Sequence, residues 1–61
     1  MDKEYIKKQY HQAILEFKTA ISEDAQWQAR EQMARIERTA LELFGEHFVQ
    51  EIRKENGLKM Y

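Results

Sequence analysis

Apolar residues recur at intervals of three and four along the first third of the chain. The positions are Ile6, Tyr10, Ala13, Ile14, Phe17, Ala20 and Ile21. On a helix they form a single stripe about 120° wide, which is typical of an amphipathic helix with one buried face. Asp2 is suited to cap its start, and Glu4 to the positive end of its dipole. The pattern therefore predicts helix 1 over about residues 3–21.

A short polar segment, Ser22-Glu23-Asp24, separates this pattern from the next one. Ser22 or Asp24 can cap a following helix, and acidic residues suit its first turn. So short a connection favours an antiparallel helical hairpin with its turn at residues 22–24. Because no glycine ends helix 1, one uninterrupted helix through this segment stays open as an alternative.

The second helical segment carries two apolar faces. The first is a stripe formed by Ala25, Ala29, Met33, Ile36, Ala40, Leu43 and Phe44. The second is a row that repeats every seven residues and is formed by Trp27, Ala34, Leu41 and Phe48. The two faces lie roughly 100–130° apart around the helix. Because helix 1 can cover only one of them, the pattern predicts a second neighbour for this helix.

Gly45 decides how far the second helix extends. Glycine is common just after a helix end, but it is also tolerated inside a helix at a cost of about 1 kcal/mol. Residues 42–52 include none of the Ser, Thr, Asp or Asn that would cap a new helix. We therefore predict one long helix 2 over about residues 24–56, with Gly45 as the one candidate for a kink. Gly57 then ends it and begins a tail at 57–61.

The unequal lengths of the two helices predict self-association. Helix 1 would span about 28 Å and helix 2 about 51 Å, so that about 20 Å of helix 2 projects beyond its neighbour. Phe48, Val49 and Ile52 lie in that overhang. Since such an apolar patch is unusual on a monomer, we expect a two-fold homodimer with a four-helix-like bundle. The alternative is a three-helix monomer, in which the chain folds back at Gly45 and these residues close the core.

Composition indicates one small helical domain over residues 1–61. The chain has 61 residues, no Pro and two Gly, and strong helix formers dominate it. It begins at Met1 and is expected to be a complete gene product. The absence of Cys excludes disulfides and thiolate metal sites, and the net charge is −1. With neither a long apolar run nor the apolar core of a signal peptide, the expected location is the cytoplasm, without membrane contact.

Candidate chemistry is sparse. Carboxylate-bridged metal sites in helical bundles use Glu-x-x-His, but Lys8 precedes His11 by three residues and Phe44 precedes His47 by three. His47 and Glu51 are four residues apart, a spacing that a solvated pair explains as well as a metal. With no glycine-rich phosphate loop and one serine at a capping position, the sequence predicts no enzyme, no cofactor and no metal.

Nucleic-acid binding is the second hypothesis. Three arginines lie within nine residues of helix 2, at Arg30, Arg35 and Arg38. Three glutamates are interleaved with them, at Glu31, Glu37 and Glu42. Because these acids would repel phosphates, the charge pattern disfavours nucleic acid as a partner.

The favoured hypothesis is a non-enzymatic interaction protein. The surplus of apolar surface predicts a self-associating helical protein that also binds a larger protein, as a regulator, an inhibitor or an assembly subunit. The residues expected at the interface are Trp27, Arg30, Arg38, Leu41, Phe48, Val49 and Ile52. The sequence does not separate a homodimer seam from a docking surface for another protein.

Overall fold

A computed structural model describes residues 2–57, and they form three helices. Helix α1 runs over Lys3–Thr19, α2 over Glu23–Phe44 and α3 over Glu46–Glu55. Helices α1 and α2 pack against each other as the predicted hairpin, and α3 folds back onto it. The all-helical class is thereby confirmed. The predicted tail after Gly57 lies outside the described residues.

The predicted caps set the N-terminal starts of α1 and α2. An Asp2 carboxylate oxygen accepts a hydrogen bond from the Tyr5 amide at 2.8 Å, and the Ser22 hydroxyl accepts one from the Ala25 amide at 3.2 Å. Helix α1 ends at Thr19, two residues earlier than predicted, because Ala20 takes an extended conformation. Ile21 therefore lies in the connection, fully exposed, and does not continue the buried stripe as predicted.

Gly45 breaks the second helix, so the prediction of one continuous helix over about 24–56 is wrong. Its backbone has φ 90° and ψ 174°, a region that is open almost only to glycine. The alternative that the sequence left undecided, in which the chain folds back at Gly45, describes the fold. No side chain caps the start of α3 among the described residues, at a cost of about 1 kcal/mol. Burial of Phe48 and Ile52, each worth about 1.5–3 kcal/mol, outweighs that cost.

The core lies where the three helices meet. Its buried members are Ile6, Tyr10, Ala13, Ile14, Ile36, Ala40, Phe48 and Ile52, with Met33, Phe44 and Val49 packed against them. At one end the Phe44 and Phe48 rings meet edge to face with centroids 5.1 Å apart. The Lys3 ammonium lies 5.3 Å and 5.4 Å from the centroids of those two rings. Helix α3 thus becomes a second neighbour of α2, but of the row Trp27, Ala34, Leu41 and Phe48 only Phe48 enters the core.

This packing removes the overhang from which self-association was predicted. Phe48 and Ile52 are 3% and 0% exposed, and Val49 is half-buried, all within the same chain. A homodimer that forms to cover these residues is therefore not needed by this fold. Association between copies that keep this fold would have to involve surfaces that remain exposed.

Polar contacts fix α3 in its place. A Lys7 ammonium lies 3.4 Å from a Glu55 carboxylate oxygen, and the His11 ring nitrogen Nδ1 lies 2.9 Å from the Asn56 side-chain oxygen. The Asn56 side-chain nitrogen Nδ2 donates to the Ile52 carbonyl at 2.7 Å, which orients the side-chain oxygen of Asn56 towards the ring. These contacts join α1 to the C-terminal end of α3 and define its direction across the hairpin.

Candidate interaction surface

One face of α2 points away from both neighbouring helices. We call it the outer face of α2, and it is formed by Trp27, Glu31, Ala34, Arg38 and Leu41. The steps of four, three, four and three residues keep these side chains in one line along the helix. They lie opposite the buried positions Ala29, Ile36 and Ala40. The fold leaves this line uncovered over most of the length of α2.

Two large apolar side chains mark the ends of the outer face. Trp27 is 62% exposed and Leu41 is 50% exposed. Ala34, midway between them, is exposed as well and adds little bulk. A lone tryptophan in such a position is an unfavourable surface residue for a monomer and a frequent anchor of binding interfaces.

Charges at the centre of the outer face are only loosely held. Arg38 lies 3.7 Å from Glu42, and Arg35 lies 3.9 Å from Glu31, both as pairs four residues apart on α2. The Arg35 side chain is 75% exposed and the Arg38 side chain is 83% exposed, so the pairs contribute little to stability. Arg30 is exposed at the edge of the face. These side chains can change partners at little cost.

The structure divides the predicted interface residues into two groups. Trp27, Arg38 and Leu41 lie together on the outer face, with Arg30 beside them. The second group, which belongs to the core or packs against it, is Phe48, Val49 and Ile52. Contrary to the prediction, Phe48 and Ile52 are therefore not available at an exposed interface, and Val49 is only partly exposed. The physical reason is the turn at Gly45, which reverses the chain before Phe48 can continue the row from Trp27 and Leu41.

The predicted interface residues do not include Glu31, although it lies on this surface. Its position, between Trp27 and Ala34 on the same helical line, carried the necessary signal. The seven-residue row contains apolar residues alone and Arg38 is predicted separately, whereas a line of steps of three and four also includes Glu31. The complete line alternates apolar, charged, small, charged and apolar side chains.

Other exposed apolar side chains do not share this line. In the part of the chain that the structure describes they are Tyr5, Leu15, Ile21 and Leu43. Tyr5 borders a shallow, open groove between α1 and α2. The groove and its continuation along the hairpin are rich in glutamine, at Gln9, Gln12, Gln28 and Gln32. Amides of this kind have neither the basicity nor the nucleophilicity for acid–base or covalent chemistry.

In the described part of the chain, acidic and histidine side chains do not gather into a metal-binding cluster. Between residues 2 and 57, no group of three or more His, Cys, Asp and Glu side chains is placed to hold a metal ion. The same residues include no helix that is both long enough and apolar enough to cross a bilayer.

The three arginines of the nucleic-acid hypothesis are spread around α2. Arg35 and Arg38 each face a glutamate on α2, as described above, and Arg30 lies on the other edge of the outer face. The three arginines thus point in different directions around the helix rather than forming one basic strip.

These observations define the class of the molecule as a small three-helix fold with an exposed apolar and charged line on its central helix. Comparison of the chain with models of known families, with curated proteins and with solved structures finds no match.

Proposed function

We propose that this chain is a non-enzymatic protein-interaction module that self-associates through the outer face of α2. The observation that carries the proposal is the pairing of a 62% exposed Trp27 with a 50% exposed Leu41 at the two ends of one helical line. Both side chains gain by leaving water, and the described part of the fold leaves both of them at least half uncovered.

The line has a symmetry that suits a second copy. Trp27 and Leu41 each lie seven residues from Ala34. When two α2 helices cross antiparallel about a two-fold axis at Ala34, Trp27 faces the Leu41 position of the second copy at both ends. At the centre, the two Ala34 side chains meet, and their small size lets the helices approach closely.

The charges obey the same symmetry. Glu31 lies three residues before Ala34 and Arg38 four residues after it, so in this arrangement Glu31 of each copy lies beside Arg38 of the other. The contact occurs twice because of the two-fold axis, and within the line itself only opposite charges meet, whereas Arg30 at its edge comes level with Arg38 of the second copy. A parallel arrangement would instead bring each residue of the line against its own counterpart, with the two Glu31 side chains together. Charge complementarity thus favours the antiparallel pairing.

The expected affinity is modest. The shared line covers about 21 Å of helix, which places the buried surface at or below about 1,200 Å² in total. Interfaces of this size belong to transient complexes, so we expect dissociation constants in the micromolar range. An exchangeable dimer of this kind suits a regulator, an inhibitor or an assembly subunit, because a helix of a larger protein could displace the second copy from the same face.

The test compares two leucines on the same helix. Leu41→Glu places a charge on the outer face, while Leu43→Glu places the same charge at a similarly exposed site off it, since Leu43 is 54% exposed. Sedimentation equilibrium over a range of concentrations should show the wild type and Leu43→Glu approaching twice 7.4 kDa and Leu41→Glu remaining near 7.4 kDa. A wild type that stays monomeric at all concentrations, or two variants that behave alike, would contradict the proposal.

A further inference from the structure

The connection between α2 and α3 is a single residue. Gly45 ends α2, its amide donating to the Leu41 carbonyl at 3.0 Å, and it begins α3, its carbonyl accepting from the Val49 amide at 3.4 Å. Both contacts have the spacing of an ordinary α-helix. The chain thus reverses direction at a residue that already has a helical hydrogen bond on each side.

The first backbone amides of α3 lack hydrogen-bond partners within the helix in this conformation. The amides of Glu46, His47 and Phe48 are the first of their helix and have no carbonyl within α3 to bond. No side chain caps this end among residues 2–57. If Gly45 took helical angles, the carbonyls of the last turn of α2 would accept from these amides, and one continuous helix would result. Five of the residues from 42 to 52 are good helix formers, namely Glu42, Leu43, Glu46, Gln50 and Glu51, and none is a proline that would interrupt a continuous helix.

We call the conformation in which α3 folds back on the hairpin the closed state. It is stabilised by the side chains that α3 buries in the core and by one ion pair. Phe48 and Ile52 fill the core, and one Arg53 guanidinium nitrogen donates to both Glu37 carboxylate oxygens at 3.0 Å and 2.9 Å. A lone chain that straightened at Gly45 would lose all of these contacts and expose the hairpin. In a pair of straightened chains, α3 of each copy can occupy the hairpin of the other and form the same contacts again.

We propose that α3 is exchangeable, and that the hairpin surface under it accepts α3 of a second copy in a domain-swapped dimer. The second copy is the fitting occupant because it supplies Phe48, Ile52 and Arg53 at the spacing that this surface already binds. The swap keeps every contact of α3, adds helical hydrogen bonds at both hinges and releases two backbone conformations reserved for glycine. It does not use the outer face of α2, so it stands apart from the function proposed above.

Gly45→Ala tests the hinge. A Cβ at this position would meet no atom within 4 Å, so the substitution acts through the backbone angle and not through a clash. Alanine disfavours the closed angle and favours a continuous helix. We expect about a tenfold shift at each hinge, and so about a hundredfold lower dissociation constant for the swapped dimer. Sedimentation equilibrium gives the dissociation constant, and circular dichroism shows that the chain remains helical.

Gly57→Ala is the matched control. Gly57 also has a positive φ, 73°, and its Cβ would also meet nothing within 4 Å, but it follows α3 and is not part of the hinge. It should introduce backbone strain of its own at a positive φ, with no increase in dimer. A synthetic chain with D-alanine at position 45 provides the opposite arm, because a D-residue accepts positive φ and resists a right-handed helix. That chain should be driven towards the closed monomer.

Crosslinking separates the swap from pairing through the outer face. The chain has no cysteine, so Lys7→Cys with Glu55→Cys provides one reactive pair across the α1–α3 contact. A short bismaleimide should link this pair within one chain in the wild-type background and between two chains in the Gly45→Ala background. The interchain product should persist when Leu41→Glu is added. Crosslinks that remain within one chain in Gly45→Ala, or a Gly45→Ala chain no more dimeric than Gly57→Ala, would overturn the exchange.

Discussion

The Tyr10 hydroxyl donates a 2.6 Å hydrogen bond to a carboxylate oxygen of Glu37, and this bond ties α1 to α2 inside the fold. Tyr10 is fully buried, and the same carboxylate accepts from Arg53 of α3. One acid thus joins the three helices at a single point. Because a partly buried carboxylate is unfavourable without partners, Tyr10 and Arg53 together make its position favourable.

Removal of the hydroxyl measures the worth of this contact. Tyr10→Phe keeps the ring in the core and leaves Glu37 with its two contacts from Arg53. We expect a loss of about 1–2 kcal/mol in the free energy of unfolding, since the lost bond involves a charged acceptor. Urea unfolding followed by circular dichroism measures it. Tyr5→Phe removes a hydroxyl from a half-exposed tyrosine and should change stability little; equal losses in both variants would mean that the Glu37 contact contributes nothing.

Alkaline pH tests the same site by another route. Burial raises the pKa of Tyr10 well above its ordinary value of 10.0, and the hydrogen bond to the Glu37 carboxylate raises the pKa further. Because the pKa is higher in the folded than in the unfolded chain, the contribution of Tyr10 to stability is fully present below about pH 10. At higher pH, the unfolded chain loses this proton first, and stability falls by up to about 1.4 kcal/mol per pH unit.

The difference between the wild type and Tyr10→Phe isolates this effect. Lysines also titrate in the same range, but their contributions are common to both proteins and cancel in the comparison. Unfolding free energies measured from about pH 8 to about pH 11 should therefore fall more steeply for the wild type. Parallel curves would show that the tyrosine keeps an ordinary affinity for its proton in the folded chain.

The hairpin was predictable because its signals are local. Asp2 and Ser22 are capping residues followed by regular stripes, and both form the hydrogen bonds that such positions favour. The end of α1 was harder to place. Ala20 and Ile21 fit the apolar spacing, and neither is a residue that stops a helix. The pattern therefore could not show that the chain leaves the helix after Thr19.

The return of α3 depends on a balance that no local pattern displays. Between Glu42 and Ile52 the chain has no residue suited to cap a new helix, so the local signals favour continuation through Gly45. Burial of Phe48 and Ile52 against α1 and α2 reverses that preference. The row from Trp27 to Phe48 shows the consequence for the surface, because its first part remains exposed while its last member enters the core.

The pairing of charges on the outer face provides the most specific prediction for self-association. Glu31→Arg alone would place a base beside Arg38 of the second copy, and Arg38→Glu alone would place an acid beside its Glu31. Each single reversal creates two like-charge contacts in an antiparallel dimer, so each should weaken association about tenfold or more. Neither side chain is buried, so folding should be preserved. Sedimentation equilibrium measures the loss of dimer, and circular dichroism checks that the helices remain.

The double reversal, Glu31→Arg with Arg38→Glu, should restore association, because each acid again faces a base of the second copy. A mixture of the two single variants gives a further check. The Glu31→Arg chain has a base at both positions 31 and 38, and the Arg38→Glu chain has an acid at both. In their antiparallel heterodimer both facing pairs are therefore of opposite charge.

The mixture should consequently form a heterodimer at concentrations where each single variant alone is monomeric, and sedimentation of the separate and mixed samples measures this. A parallel pairing predicts a different set of results. There each residue faces its own counterpart, so the wild type already has two like-charge contacts and neither single reversal removes or adds one. Single variants that associate as well as the wild type, or a double reversal that fails to restore association, would rule out the antiparallel arrangement while leaving the exchange of α3 through Gly45 to its own test.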